Sequence, residues 1–160
     1  MKKEYHYAFE ENKYPGVPDY KLITISDKPF EITKNAENYV KRLEIIPIRV
    51  MHYKLPILGF RFGNLAYITD GSSIPESEFE KLKGMEVLVI NTVRHTKHIS
   101  HFSLPEALEI IRRVGAPRNY LTHLSHQLGT HAQLTAELES GFCASNQKVF
   151  AAYDGLKVDF

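Results

Sequence analysis

Hydrophobic and polar positions are most regularly ordered in the middle of the chain. Ile57 to Phe62 and Leu65 to Thr69 are β-prone runs separated by Gly63-Asn64, a pair suited to the positive-φ turn of a two-residue hairpin. The second run passes through Asp70 into Gly71-Ser72-Ser73-Ile74-Pro75, so a strand delivers one carboxylate to its end. Pro75 to Lys83 has proline in its first turn, early acidic residues, and Phe79 and Leu82 three apart. It reads as a short helix closed by Gly84. Met85 to Asn91 is mostly apolar, the pattern of a strand covered on both faces. Ala107, Leu108, Ile111 and Val114 recur at helical spacing behind Ser103, Pro105 and Glu106, which predicts a helix capped by Ser103 and ended by Gly115. Asn119 to Thr122 reads as a short strand and Gln133 to Leu138 as a short helix. Lys148 to Tyr153 and Leu156 to Phe160, joined by Asp154-Gly155, read as a final hairpin.

The first third is less regular. Tyr14-Pro15-Gly16-Val17-Pro18 enforces a loop. Lys21 to Ser26 and Pro29 to Thr33 look like an antiparallel pair turned by Asp27-Lys28, with Lys34 to Lys41 as a connector. Arg42 to Met51 is a longer strand that Pro47 pushes toward a sheet edge or a bulge, and it ends in His52. With no repeat or linker, residues 1–160 form a single domain of interleaved strands and helices, an α/β (α+β) class.

Composition narrows the function classes. The formal net charge of +1 gives no reason to expect a nucleic-acid or membrane surface. The chain has one cysteine, Cys143, which excludes an intrachain disulfide and suits a reducing cytoplasm; Cys143 reads as an inert thiol. No apolar run has the length of a signal peptide core or a membrane span. Seven of the eight histidines fall between His52 and His131; His6 and His131 read as surface residues.

Four residues stand at or just after predicted strand ends: His52, Asp70, His101 and His123. A shared rim would make them a site, and imidazoles with a carboxylate suit a borderline divalent ion such as zinc or manganese. Each also has a plainer reading. Asp70 is a good cap for the helix near Pro75, and a histidine at a strand end is commonly just hydrogen-bonded. His101 precedes a helix N-terminus, where the dipole favours an anion. The polar stretch from Thr92 to Ser100, with Arg94, His95 and His98, reads first as a solvated loop and second as a set of contacts to substrate anions.

The ordered series Val50-Met51-His52, Gly59-Phe60-Arg61, Ala66-Tyr67-Ile68-Thr69-Asp70, His101-Phe102-Ser103, Tyr120-Leu121-Thr122-His123-Leu124-Ser125-His126 and Tyr153-Asp154-Gly155 resembles the second half of a metallo-β-lactamase-fold hydrolase. It is most similar to the branch with the phosphoribosyl cyclic phosphodiesterase, with the transfer-RNA 3′-processing endonucleases as cousins. The resemblance implies a four-layer αββα sandwich with two divalent ions per complete site. His52 would ligate one ion, Asp70 would bridge both and His123 would ligate the second. His101 would be the catalytic histidine, a general acid or a charge partner near the scissile phosphate. Thr122 and His126 would orient His123 or substrate, and Asp154 would bond a ligand histidine unless it is only a turn residue.

The family's early His-x-His-x-Asp-His motif is absent, and Tyr5-His6-Tyr7 does not replace it. Read against the family, the chain corresponds to the C-terminal half to two-thirds of the domain, with Met1 as an internal or misassigned start. Three expectations follow: an uncovered apolar sheet face that drives homo-oligomer formation, an incomplete metal shell, and impaired hydrolysis of a small phosphodiester or cyclic phosphate by metal-activated water. The competing reading is a non-catalytic or degenerate α/β interaction domain.

Overall fold

The computed structural model describes residues 3–18, 20–36, 39–142 and 146–160. A mixed seven-stranded sheet runs in chain order: β1 (Phe30–Ala36), β2 (Tyr39–His52), β3 (Leu55–Phe62), β4 (Leu65–Ile68), β5 (Val87–Asn91), β6 (Arg118–Thr122) and β7 (Lys148–Ala151). The first four strands pair antiparallel and the last four parallel. Because β2 and β4 each run opposite to β3, the C-terminal ends of β2, β4, β5 and β6 share one rim. That topology brings His52, Asp70, Asn91 and Thr122-His123 to one side of the molecule.

Burial follows strand alternation. Ile48, Val50, Ala66, Ile68, Leu88, Ile90, Leu121 and Ala151 lie on one sheet face and form a single core with residues of both helices, α1 (Leu104–Val114) and α2 (His131–Gly141), and of the 3-10 helix Glu76–Leu82. α1 has the expected Ser103 cap, extended into a capping box in which Glu106 bonds back to Ser103, and it ends at Gly115 in the left-handed region. On the opposite face Leu65, Val87 and Val89 make a smaller cluster with Phe62, Tyr120 and Val158. Ladder register puts Ile32, Leu43, Tyr67 and Phe150 on that same face, all exposed.

Pro47 lies within β2 beyond the last residue paired with β1, so only β3 flanks it. Its carbonyl accepts Lys81 Nζ at 2.8 Å, which shows that this side of the residue faces away from β3 and leaves no ladder bond for a missing N–H to break. The same open edge is covered at every second residue. Arg49 N–H donates to Glu78 Oε2 (2.9 Å) and Met51 N–H to the Ser73 carbonyl (2.9 Å). Burial raises the Glu78 pKa, but hydrogen bonds from Lys81 and the Arg49 amide outweigh it and hold the carboxyl below the usual glutamate range.

Several expectations are corrected. Lys21 to Ser26 forms no strand, and Leu22, Ile23 and Ile25 are exposed; its β-like alternation has no partner. β1 instead pairs with the start of β2, so Lys34 to Lys41 is no connector apart from residues 37 and 38, which lie outside the described residues. Residues 76–82 form a 3-10 helix, and the helix expected at Gln133 to Leu138 runs His131–Gly141. The final hairpin is not formed: β7 pairs parallel with β6, and residues 152–160 make no strand. Cys143 lies outside the described residues.

Candidate metal centre

The site begins with the turn after β4. Asp70 has φ 60°, a left-handed backbone that aspartate tolerates better than most residues. The next residue is locked on both sides. Gly71 N–H donates to Asn91 Oδ1 (2.8 Å), Asn91 Nδ2 donates to the Gly71 carbonyl (3.0 Å), and the Phe102 amide donates to that carbonyl too (2.8 Å). A Cβ on Gly71 would stand 2.6 Å from Val50 Cγ1 and 2.8 Å from Phe102 Cε2, so only glycine fits. Asn91 is fully buried at the end of the interior strand β5. Its amide fixes the peptide after Asp70, and the Phe102 bond fixes the peptide after His101. The carboxylate and the imidazole are therefore positioned by one set of bonds.

His52 is held from both neighbours, by the Met51–Ser73 pairing and by the Tyr53 N–H bond to Ser72 Oγ (2.9 Å). His123 follows β6 at φ 57°, and its predecessor Thr122 accepts the Thr92 amide (2.9 Å). The loop between Val93 and Phe102 is closed by Val93 N–H to the Phe102 carbonyl and by Leu104 N–H to the Arg94 carbonyl. Within it, the Arg94 guanidinium bonds the carbonyls of Thr96 and Lys97, and His95 pairs with Glu137 of α2 at 2.9 Å.

Asp70 Oδ1 faces His123 Nε2 at 3.4 Å and His101 Nε2 at 3.6 Å, while Asp70 Oδ2 accepts the Thr69 hydroxyl at 3.0 Å. Ligand atoms of Asp70, His101 and His123 lie within 4.8 Å of one another. The His101 ring stacks on His123 (centroids 4.9 Å apart), meets His52 edge-on (5.0 Å) and lies 5.0 Å from His98. Burial, followed by the neighbouring imidazoles of His123, His98 and His52, holds the His101 pKa below the ordinary histidine value, against the pull of Asp70. A neutral ring keeps an electron pair for a cation. Two imidazole nitrogens and a carboxylate oxygen converging at this range fit one divalent ion, the three-ligand pattern that leaves a position open for water or substrate.

The structure thus gathers His52, Asp70, His101, His123 and His98. The donor cluster takes in His101, which the sequence reading assigned to catalysis, and leaves His52 one ring away. Thr122 reaches the centre through the chain it shares with His123. His126 opens the 3-10 turn His126–Leu128 and is exposed, lining a shallow 250 Å³ cavity apart from the cluster. Asp154 is exposed in a turn and is not in the cluster. Arg94 is committed to its own loop. Asn91 and Gly71 carry most of the positioning and were missed from the sequence. A polar residue ending an otherwise apolar strand, and a glycine directly after the acid, were the available signals.

A family model described as the beta-lactamase superfamily domain matches residues 1–124. The chain belongs to that superfamily. Among solved structures it is similar to a diphosphatase from the PhnP family, 29% identical with TM-score 0.79, over 99% of this chain and 53% of that one. A metallo-β-lactamase fold protein from Bacillus subtilis (21% identical, TM-score 0.61, 85% of this chain and 54% of that one) and the short form of human tRNase Z (15%, 0.53, 79% and 45%) share the fold. A curated relative, an octanoyltransferase from Porphyromonas gingivalis, is 37% identical over 143 residues, which is 86% of this chain and 27% of that protein. The chain spans about half the length of the solved superfamily members and about a quarter of the octanoyltransferase.

Proposed function

We propose that this chain carries a divalent-metal centre for hydrolysing a small phosphate ester or phosphoanhydride. The observation behind this reading is the convergence of Asp70, His101 and His123 ligand atoms within 4.8 Å, two of them on left-handed backbone at strand ends. Left-handed non-glycine residues cost energy and cluster where a side chain must be aimed. The similarity to a PhnP-family diphosphatase supports a phosphorus-centred substrate, phosphodiester or cyclic phosphate included. The octanoyltransferase name describes a protein of which this chain matches about a quarter, and acyl transfer is not carried over.

Asp70 and His123 are assigned as ligands, with Thr69 orienting the carboxylate through Oδ2. His101 lies at the reacting centre, and His52 is assigned to the second ion that the family resemblance implies. When bound, a divalent ion supplies Lewis acidity, activating water for attack and drawing charge from a phosphoryl oxygen. Imidazole and carboxylate donors suit zinc or manganese. The shell gathered here serves one ion, so turnover by this chain alone is expected to be weak. No helix among the described residues is long and apolar enough to cross a membrane, and a cytoplasmic homo-oligomer is part of the proposal.

Turnover of a nitrophenyl phosphodiester by zinc- or manganese-loaded protein tests this reading. Metal-dependent hydrolysis that His101→Ala abolishes supports it. Metal uptake without hydrolysis of phosphodiester or diphosphate substrates favours the non-catalytic interaction domain.

A further inference from the structure

The chain holds a strand-prone segment without a partner and a strand edge without a neighbour. Lys21 to Ser26 alternates Leu22 and Thr24 with Ile23 and Ile25, yet it forms no strand, and its backbone makes no bond to other backbone among the described residues. Ile23 is 73% exposed, and Leu22 and Ile25 are exposed with it. At the far end of the sheet, β7 pairs only with β6. The N–H groups of Lys148 and Ala152 donate inward to the Pro117 and Leu121 carbonyls, so by alternation those of Val149 and Ala151 point out from the edge. His131 Nε2 meets the Ala151 carbonyl from outside at 3.1 Å; the Val149 N–H and carbonyl meet nothing among the described residues. A 600 Å³ cavity runs along this edge, with Leu138, Phe142 and Val149 on the α2 side and Tyr120 and Phe150 on the other. A groove beside an open strand is where an extended segment adds as a further strand, held by main-chain bonds and sorted by its alternate side chains.

The two features cannot meet within one chain. Residues 27–29 join the segment to β1, so Ser26 stands at most about 14 Å from Phe30. β7 lies six strand spacings from β1, roughly 28 Å. We propose that Lys21 to Ser26 of one copy adds to the β7 edge of a second copy as an eighth strand, parallel to β7. Charge selects the direction. α2 runs antiparallel to β7, since His131 at its start lies at Ala151 and its end leads back to Lys148, so Glu139 flanks the start of β7. Lys21, Ile23, Ile25 and Asp27 share one side of the segment. With the two isoleucines against Leu138 and Phe142, the parallel direction brings Lys21 to Glu139, whereas the antiparallel direction brings Asp27 to it. Each copy carries one donor and one acceptor, so exchange leaves neither open. The metal centre plays no part in this contact, which gives the proposed homo-oligomer a specific interface.

Ile23→Asp combined with Ile25→Asp removes the donor at exposed positions and leaves the acceptor edge intact. Light scattering should give the wild-type protein a mass above one chain and the double variant the mass of one. A synthetic peptide of residues 20–27 should bind the monomeric double variant. Adding Glu139→Lys to that variant should weaken the peptide several-fold, and Lys21→Glu in the peptide should restore it. A monomeric wild-type protein, an unchanged mass in the double variant, or a peptide that fails to bind overturns the inference. Binding indifferent to the charge at residue 139 overturns the parallel direction. Metal uptake should be equal in the wild-type protein and the double variant, so failure of either proposal leaves the other readable.

Discussion

Asp70 Oδ1 and His123 Nε2 stand 3.4 Å apart, although their strands β4 and β6 are separated by β5 and both residues occupy left-handed backbone. Neither conformation is needed to leave a strand, since many turns do so with ordinary dihedrals. Their shared consequence is to turn both side chains over the end of β5. Local backbone energy is thus traded for a cluster of donors.

The trade is measurable at His123. Glycine removes the left-handed penalty together with the imidazole, so His123→Gly should leave the metal-free fold as stable as before or up to about 1 kcal/mol more stable. Divalent-metal binding should be lost at the same time. Urea unfolding of the metal-free protein beside cobalt titration checks both halves; clear destabilisation would show that the imidazole is chiefly structural.

Gly71 has the opposite character. Its absent Cβ leaves room for Val50 and Phe102, so Gly71→Ala forces the β2 side and the His101 segment apart. A cost of about 1–3 kcal/mol is expected from overpacking. Metal affinity should fall as well, because the Phe102 amide bond to Gly71 is what sets His101 beside Asp70. Midpoints of chemical denaturation report the first effect and calorimetric titration the second.

Asn91→Ala strands the buried Gly71 N–H and leaves a void, with an expected loss of about 2–4 kcal/mol. Asp154→Ala is the matched control, since Asp154 is exposed in a turn outside the cluster. It should change neither stability nor metal uptake measurably. Loss of metal in Asp154→Ala would restore the role that the family resemblance implies for it.

Acid should weaken the fold in two separate windows. His101 has a folded pKa below its unfolded value of about 6.5, so its neutral form is favoured by folding. Its contribution is fully present above about pH 6.5 and is lost as pH falls toward the folded value, because the unfolded chain takes the proton first. Glu78 also has a lowered folded pKa, so the stability it gives is present above the ordinary glutamate range and is lost as pH falls through the folded value. Stability profiles of Glu78→Gln should flatten only the lower window, and those of His101→Gln only the upper.

The sequence made the rim legible because strand periodicity and the Gly63-Asn64 turn fix which ends meet. His52, Asp70, His101 and His123 came together for that reason. α1 was equally readable, since its apolar stripe, its Ser103 cap and Gly115 agree. Lys21 to Ser26 misled because alternation reports a capacity to pair, and β1 found its partner in residues 39–45 instead. The last segment misled similarly: Asp154-Gly155 does form a turn, but β7 takes its hydrogen bonds from β6. What periodicity does not encode is which polar side chain will bond to a distant peptide. Asn91 therefore emerged only with the fold.

Asp70 and His123, with His101 beside them, are proposed to hold a divalent ion. Elemental analysis after zinc or manganese loading and desalting reads whether they do. At least one equivalent of metal per chain is expected, lost in Asp70→Ala and in His123→Ala. Metal-free wild-type protein after loading, or the same metal content in both variants, would contradict this assignment.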